Sequence, residues 1–102
     1  MKEVYYIQRD QFDDEGHKTQ FVSIHETLEG ARNYFNDLVD GEKADYMLNR
    51  TGEPDTTKEA MSAAEVEEDR YDKPDGTECW HIWDPTGWDE VYVEIICAQL
   101  RA

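Results

Sequence analysis

At 102 residues the chain is long enough to bury one core without metal or disulfides. Its 25 Asp and Glu against ten Lys and Arg give a formal net charge of −15, which repels nucleic acid and anionic membranes and attracts basic surfaces. No stretch approaches the ~20 apolar residues of a membrane span, and Met1-Lys2-Glu3 does not open a signal peptide, so a cytoplasmic protein is expected. Hydrophobic content of 38% is low for a globular domain, but the aromatic residues cluster in runs, unlike those of a disordered chain. The reading is one acidic α+β domain over residues 1–102.

In chain order, Val4-Tyr5-Tyr6-Ile7-Gln8 is β-branched and aromatic and reads as a strand. Asp13-Asp14-Glu15-Gly16 is turn chemistry, and Phe21-Val22-Ser23-Ile24 returns as a second strand. Thr27 is a good helix N-cap. Behind it Leu28, Ala31, Phe35, Leu38 and Val39 recur at helical spacing. Gly41 either ends this helix or is passed over, since Ala44, Met47 and Leu48 continue the stripe to a break at Thr51–Asp55.

A capping-box pattern at Thr56–Glu59 opens a second helix with a thin apolar face of Ala60, Met61, Ala63, Ala64 and Val66. Lys73-Pro74-Asp75-Gly76 is a turn or loop, and Cys79–Trp83 reads as a strand. Asp84-Pro85-Thr86-Gly87 fits a type I turn into the long alternating strand Val91–Leu100. The expected order is ββα(α)ββ: a small antiparallel sheet of two hairpins with one or two helices packed on one face.

Glu65, Glu67, Glu68, Asp69, Asp72, Asp75 and Glu78 crowd one stretch, diluted only by Arg70 and Lys73. The ordinary reading is a solvated loop or helix end. The functional reading is a negative face that docks in a basic groove, where carboxylates ~5–6 Å apart on a helix stand in for phosphates. Glu26, Glu29, Asp37 and Asp40 would extend the field. Beside this stretch, Trp83 and Trp88 are candidate anchors, since Trp is favoured at interface hot spots. Their ordinary role is to pair across the last hairpin while Trp80 packs under the helix. Base stacking is disfavoured, because stacking proteins surround their aromatics with positive charge.

Cys79 and His81, with His25 and Cys97, could be drawn into a zinc site, but no paired C-x₂-C spacing is present. Asp10, Asp13, Asp14 and Glu15 lack the spacing of a calcium loop. No metal or cofactor is therefore expected. A turn near Pro85 sets Cys79 opposite a residue near Tyr92, too far from Cys97 for a disulfide, and reduced thiols are expected. No nucleophile elbow, P-loop or paired metal motif anchors a catalytic site, and the chain is read as a non-enzyme.

In length and charge the chain resembles small acidic proteins of phages and mobile elements that block restriction or CRISPR nucleases. That resemblance is compositional and transfers no site residue. It implies an inhibitor or adaptor that occupies a basic DNA- or RNA-binding protein, with no direct nucleic-acid or membrane contact, in the host cytoplasm if phage-encoded. Glu65, Glu67, Glu68, Asp69, Asp72 and Asp75 would supply the field, and Trp83 and Trp88 the anchor. The alternative is a non-catalytic structural or regulatory domain whose charge serves solubility, homodimeric through its sheet edge or thin second helix.

Overall fold

Buried residues at alternate positions, Trp80 and Ile82 on one strand and Val91, Val93 and Ile95 on the next, place one face of a sheet under a helix. The computed structural model describes residues 2–87 and 89–100. The elements are β1 (Lys2–Asp13), β2 (Gly16–His25), α1 (Leu28–Thr51), α2 (Lys58–Ala63), β3 (Glu67–Asp72), β4 (Glu78–Trp83) and β5 (Glu90–Leu100). The strands form one antiparallel sheet in the order β2-β1-β5-β4-β3. The α+β class and the helix packed on the sheet are as expected, but the sheet has a fifth strand. The acidic run, read as a loop or helix end, supplies it as the edge strand β3. Acidic residues are poor strand formers, so this strand is held by its pairing with β4, from Glu67 opposite Trp83 to Asp72 opposite Glu78.

Helix α1 starts where Thr27 accepts a hydrogen bond from the Gly30 amide at 3.0 Å. It runs through Gly41 and ends at Gly52, whose left-handed φ of 86° lets its amide reach the Leu48 carbonyl. An internal glycine costs about 1 kcal/mol. The last turns bury Tyr46 and Met47, each worth about 1.5–3 kcal/mol, so the helix continues. Ala31, Phe35, Val39, Tyr46 and Met47 meet Ile7, Trp80, Ile82, Val91, Val93 and Ile95 of the sheet to make the core. Trp80, fully buried, packs under the helix as expected.

The short α2 ends in a Schellman motif: Val66 N–H donates to Met61 O and Glu65 N–H to Ser62 O. Glu65 takes the left-handed position, with φ 58°. Met61 and Val66 are both buried, so the motif turns the chain from α2 into β3 over a hydrophobic contact. The Asp84–Gly87 turn forms as read, with Gly87 N–H donating to Asp84 O at 3.1 Å. Register places Cys79 opposite Glu94, two residues beyond the expected position. By alternation Cys79 lies on the face away from α1 and Cys97 on the face towards it, and both thiols are free. None of the described helices is long and apolar enough to cross a membrane.

Candidate interaction face

The helix covers one side of the sheet, and the cross-strand registers define what the other side presents. One row across it reads Glu67, Trp83, Glu90, Phe12, His17. The next reads Asp69, His81, Tyr92, Asp10, Thr19, and the third Tyr71, Cys79, Glu94, Gln8, Phe21. The rings of the first two rows touch in sequence. His17 stacks on Phe12 at 4.2 Å between centroids, Phe12 meets Tyr92 edge-on, Tyr92 stacks on His81 at 3.8 Å, and His81 stacks on Trp83 at 4.4 Å. Five rings from four strands thus form a continuous aromatic ladder on the open face, with carboxylates at its ends and between its members.

The predicted site residues divide according to the pleat of β3. Glu67 and Asp69 point to the open face, beside Trp83 and His81. Glu68 points to the helix side, where it accepts from Lys43 Nζ at 2.6 Å and from the Trp80 indole at 2.9 Å. Burial pushes its carboxyl up, but the Lys43 and Trp80 bonds outweigh that and hold it below the usual range. Asp72 shares the helix side, opposite Glu78. Asp75 accepts from the Thr77 amide at 3.0 Å and from its hydroxyl, and these bonds hold its carboxyl low. Glu65 caps α2. Trp83 lies opposite Glu90, and Trp88 falls outside the described residues. The fold therefore brings together Glu67, Asp69 and Trp83, and directs Glu68 and Asp75 to internal bonds.

Glu29, Asp37 and Asp40 are exposed on α1, across the sheet from the ladder, and Glu26 pairs with Lys2. The acids do not form one ridge.

Of the ladder, the sequence points to Trp83 and raises His81 only as a metal ligand; Tyr92, Phe12 and His17 carry no site signal of their own. The signal was the i, i+2 spacing of His81 and Trp83, with Tyr92 on the facing strand, which becomes visible only once the register is fixed. His81 is stacked between Tyr92 and Trp83: burial pushes its pKa down, outweighing Glu90 and Asp69, and its Nε2 has no hydrogen-bond partner among the described residues.

Most of the cations are already paired. Among the described residues, seven of the nine Lys and Arg form ion pairs with seven different carboxylates. Arg9 holds Glu42 at 2.6 Å and so ties β1 to α1. Arg70 pairs with Glu78 and lies over the Phe35 ring. Arg50 pairs with the buried Asp84. Arg9, Glu42, Arg50 and Asp84 line a cleft of about 470 Å³ with Tyr46 and Asp89. Burial and the neighbouring Asp84 and Asp89 carboxylates push the Tyr46 phenol up to about 12, and its hydroxyl donates to the Asp89 carbonyl at 2.8 Å. Both arginines of this cleft are already neutralised. Among the described residues, no three His, Cys, Asp or Glu gather as a metal site. No protein-family model, curated protein or solved structure matches the chain.

Proposed function

We propose that this is a non-catalytic, acidic protein-binding domain, an inhibitor or adaptor that docks on a basic surface such as that of a nucleic-acid-binding protein or nuclease. One observation carries the reading: the Trp83–His81–Tyr92 stack on the open face is bordered by Glu67, Asp69 and Glu90. Aromatic faces and carboxylates together suit Arg and Lys, through cation–π contact and charge-assisted hydrogen bonds. The pairing of most described cations with carboxylates adds to this, since it leaves little free positive charge to oppose a basic partner. Steering by the net charge would speed encounter and fade with salt, as charges beyond ~8–10 Å are screened at physiological ionic strength.

Glu67 and Asp69, two residues apart on a strand, are separated by ~7 Å, and the remaining acids lie on both sides of the sheet. This favours docking through a corner of the face over imitation of a whole duplex. A structural or regulatory domain whose charge serves solubility is the second reading, favoured by the internal bonds of Glu68, Asp75 and Glu78. To separate them, Glu67→Lys/Asp69→Lys and Trp83→Ala variants are compared with the parent for capture of basic nucleic-acid-binding proteins at low and high salt. Docking predicts salt-sensitive capture lost in both variants with the fold intact, and competition by duplex DNA if the partner's nucleic-acid site is occupied. A parent that captures nothing basic at low salt removes the proposal.

A further inference from the structure

The open face changes character towards the other end of β1 and β5. The row below Phe21 reads Ile24, Tyr6, Ile96, and the one after it pairs Val4 with Ala98. Phe21 and Ile24 are 70% and 75% exposed, and the Phe21 ring packs edge-on against Tyr6 at 5.6 Å.

Their position is the product of a bulge. Phe21 and Ile24 are three residues apart, so a regular strand would send them to opposite faces. The register instead steps between Ile7 opposite Ser23 and Gln8 opposite Phe21, which leaves Val22 as the extra residue, leaning on the core. The bulge re-aims Phe21 to the same solvent side as Ile24. Two large apolar side chains are displayed together, where an unbulged strand would have turned one of them towards α1.

Charge indicates what covers them. β2 is the only one of the seven elements with no Asp or Glu, and it carries Lys18. The two carboxylates bordering the patch are each paired: Glu94, in the row of Phe21, with Lys73 at 3.0 Å, and Glu26, two residues beyond Ile24, with Lys2 at 3.0 Å. A basic partner has nothing to recognise here. Conversely, two copies of a chain with a net charge of −15 repel one another wherever carboxylates face, and this patch is where they do not. An isologous two-fold contact also makes the patch its own complement.

We infer that the Tyr6–Phe21–Ile24–Ile96 patch is a self-association face, on which a second copy of this chain packs sheet against sheet. The inference is independent of the basic-partner reading, and the two have opposite salt signatures. Screening weakens docking of a cation but strengthens association of two like-charged copies.

The test is sedimentation velocity of the full chain from micromolar to millimolar concentration at low and high salt, for the parent, Phe21→Ser/Ile24→Ser and Glu67→Lys/Asp69→Lys. The expected result is a dimer that forms more readily at high salt and whose Kd rises at least about tenfold, ~1.4 kcal/mol, in Phe21→Ser/Ile24→Ser. Glu67→Lys/Asp69→Lys should retain it. Both apolar side chains lie outside the core, so circular dichroism should be unchanged; if the double variant unfolds, Phe21→Lys alone carries the test. A parent that stays monomeric at every concentration and salt overturns the inference, as does a dimer indifferent to Phe21 and Ile24.

Discussion

The Trp80 indole nitrogen donates a 2.9 Å hydrogen bond to the Glu68 carboxylate, and so ties the acidic edge strand to the largest fully buried side chain of the core. Glu68 also holds Lys43 of α1, and its side chain is 33% exposed. Charge-assisted hydrogen bonds contribute about 1.5–3 kcal/mol, and discounting for solvent leaves about 1 kcal/mol here. Glu68→Gln should lower stability by that amount and leave capture of a basic partner unchanged, the reverse of Glu67→Gln. The folded carboxyl titrates below its unfolded value of about 4.3. As pH falls the unfolded state therefore takes the proton first. The stabilisation is complete above the unfolded value and is lost as pH drops through the folded one. Thermal melts should show the gap between parent and Glu68→Gln closing below about pH 4; a constant gap would refute the assignment.

His81 gives a pH dependence in a different window. Burial between Tyr92 and Trp83 holds its pKa below the ordinary value of about 6.5, against the pull of Glu90 and Asp69. Below that value the unfolded chain binds a proton that the folded ring resists, so stability falls as pH falls. His81→Phe keeps the stacked ring and removes a buried nitrogen without a partner, for a gain of about 1 kcal/mol. Its advantage in melting temperature should widen from neutral pH to about pH 5.5. Parallel pH profiles of the two proteins would show that the ring titrates as if exposed.

Local patterning made most of the fold legible. The first hairpin, the long helix with its Thr27 cap, and the last hairpin with its Asp84–Gly87 turn all carry periodicity and turn residues that act over a few positions. What was not legible depends on distant partners. β3 reads Glu67-Glu68-Asp69-Arg70-Tyr71-Asp72, with no apolar alternation, and is a strand because β4 pairs with it. The end of α2 was hidden for a similar reason, since Glu65 stands where a glycine would have marked the stop. Of the site, the Glu67–Asp69–Trp83 corner was within reach of the sequence. The ladder was not, because it joins residues 12, 17, 81, 83 and 92 through three registers. The split of the acidic run into open-face and helix-side members was hidden as well, being a consequence of the pleat.

Arg50 and Lys2 separate a buried ion pair from an exposed one. Arg50 meets Asp84, whose side chain is 2% exposed, and also donates to the Ala64 carbonyl at 3.0 Å. Burial pushes the Asp84 carboxyl up, but the Thr86 amide and hydroxyl and the Arg50 guanidinium together hold it low. Lys2 and Glu26 are largely in solvent. Removing one partner of a buried pair leaves an uncompensated charge, whereas exposed pairs contribute little. Arg50→Ala should therefore depress the melting temperature well beyond Lys2→Ala, and acid should narrow the difference as Asp84 takes up a proton. Equal effects of the two substitutions would mean that the Asp84 turn is hydrated.

Glu65 offers a test that stability and binding answer separately. It holds the left-handed position of the Schellman motif at φ 58°, a conformation that costs a non-glycine residue roughly 1–2 kcal/mol. Glycine removes that cost but adds backbone freedom to the unfolded chain, an offset of roughly 0.4–1 kcal/mol. Glu65→Gly should thus stabilise the protein by about 0.5–1 kcal/mol in denaturant melts. Glu65→Ala keeps the strain while removing the charge, and should be no more stable than the parent. If Glu65 contributes to the field that draws a basic partner, both substitutions should slow association equally at low salt, and the difference should vanish at high salt. A Glu65→Gly protein that is more stable yet associates at the parent's rate would assign the carboxylate to neither task and leave the docking field to Glu67 and Asp69.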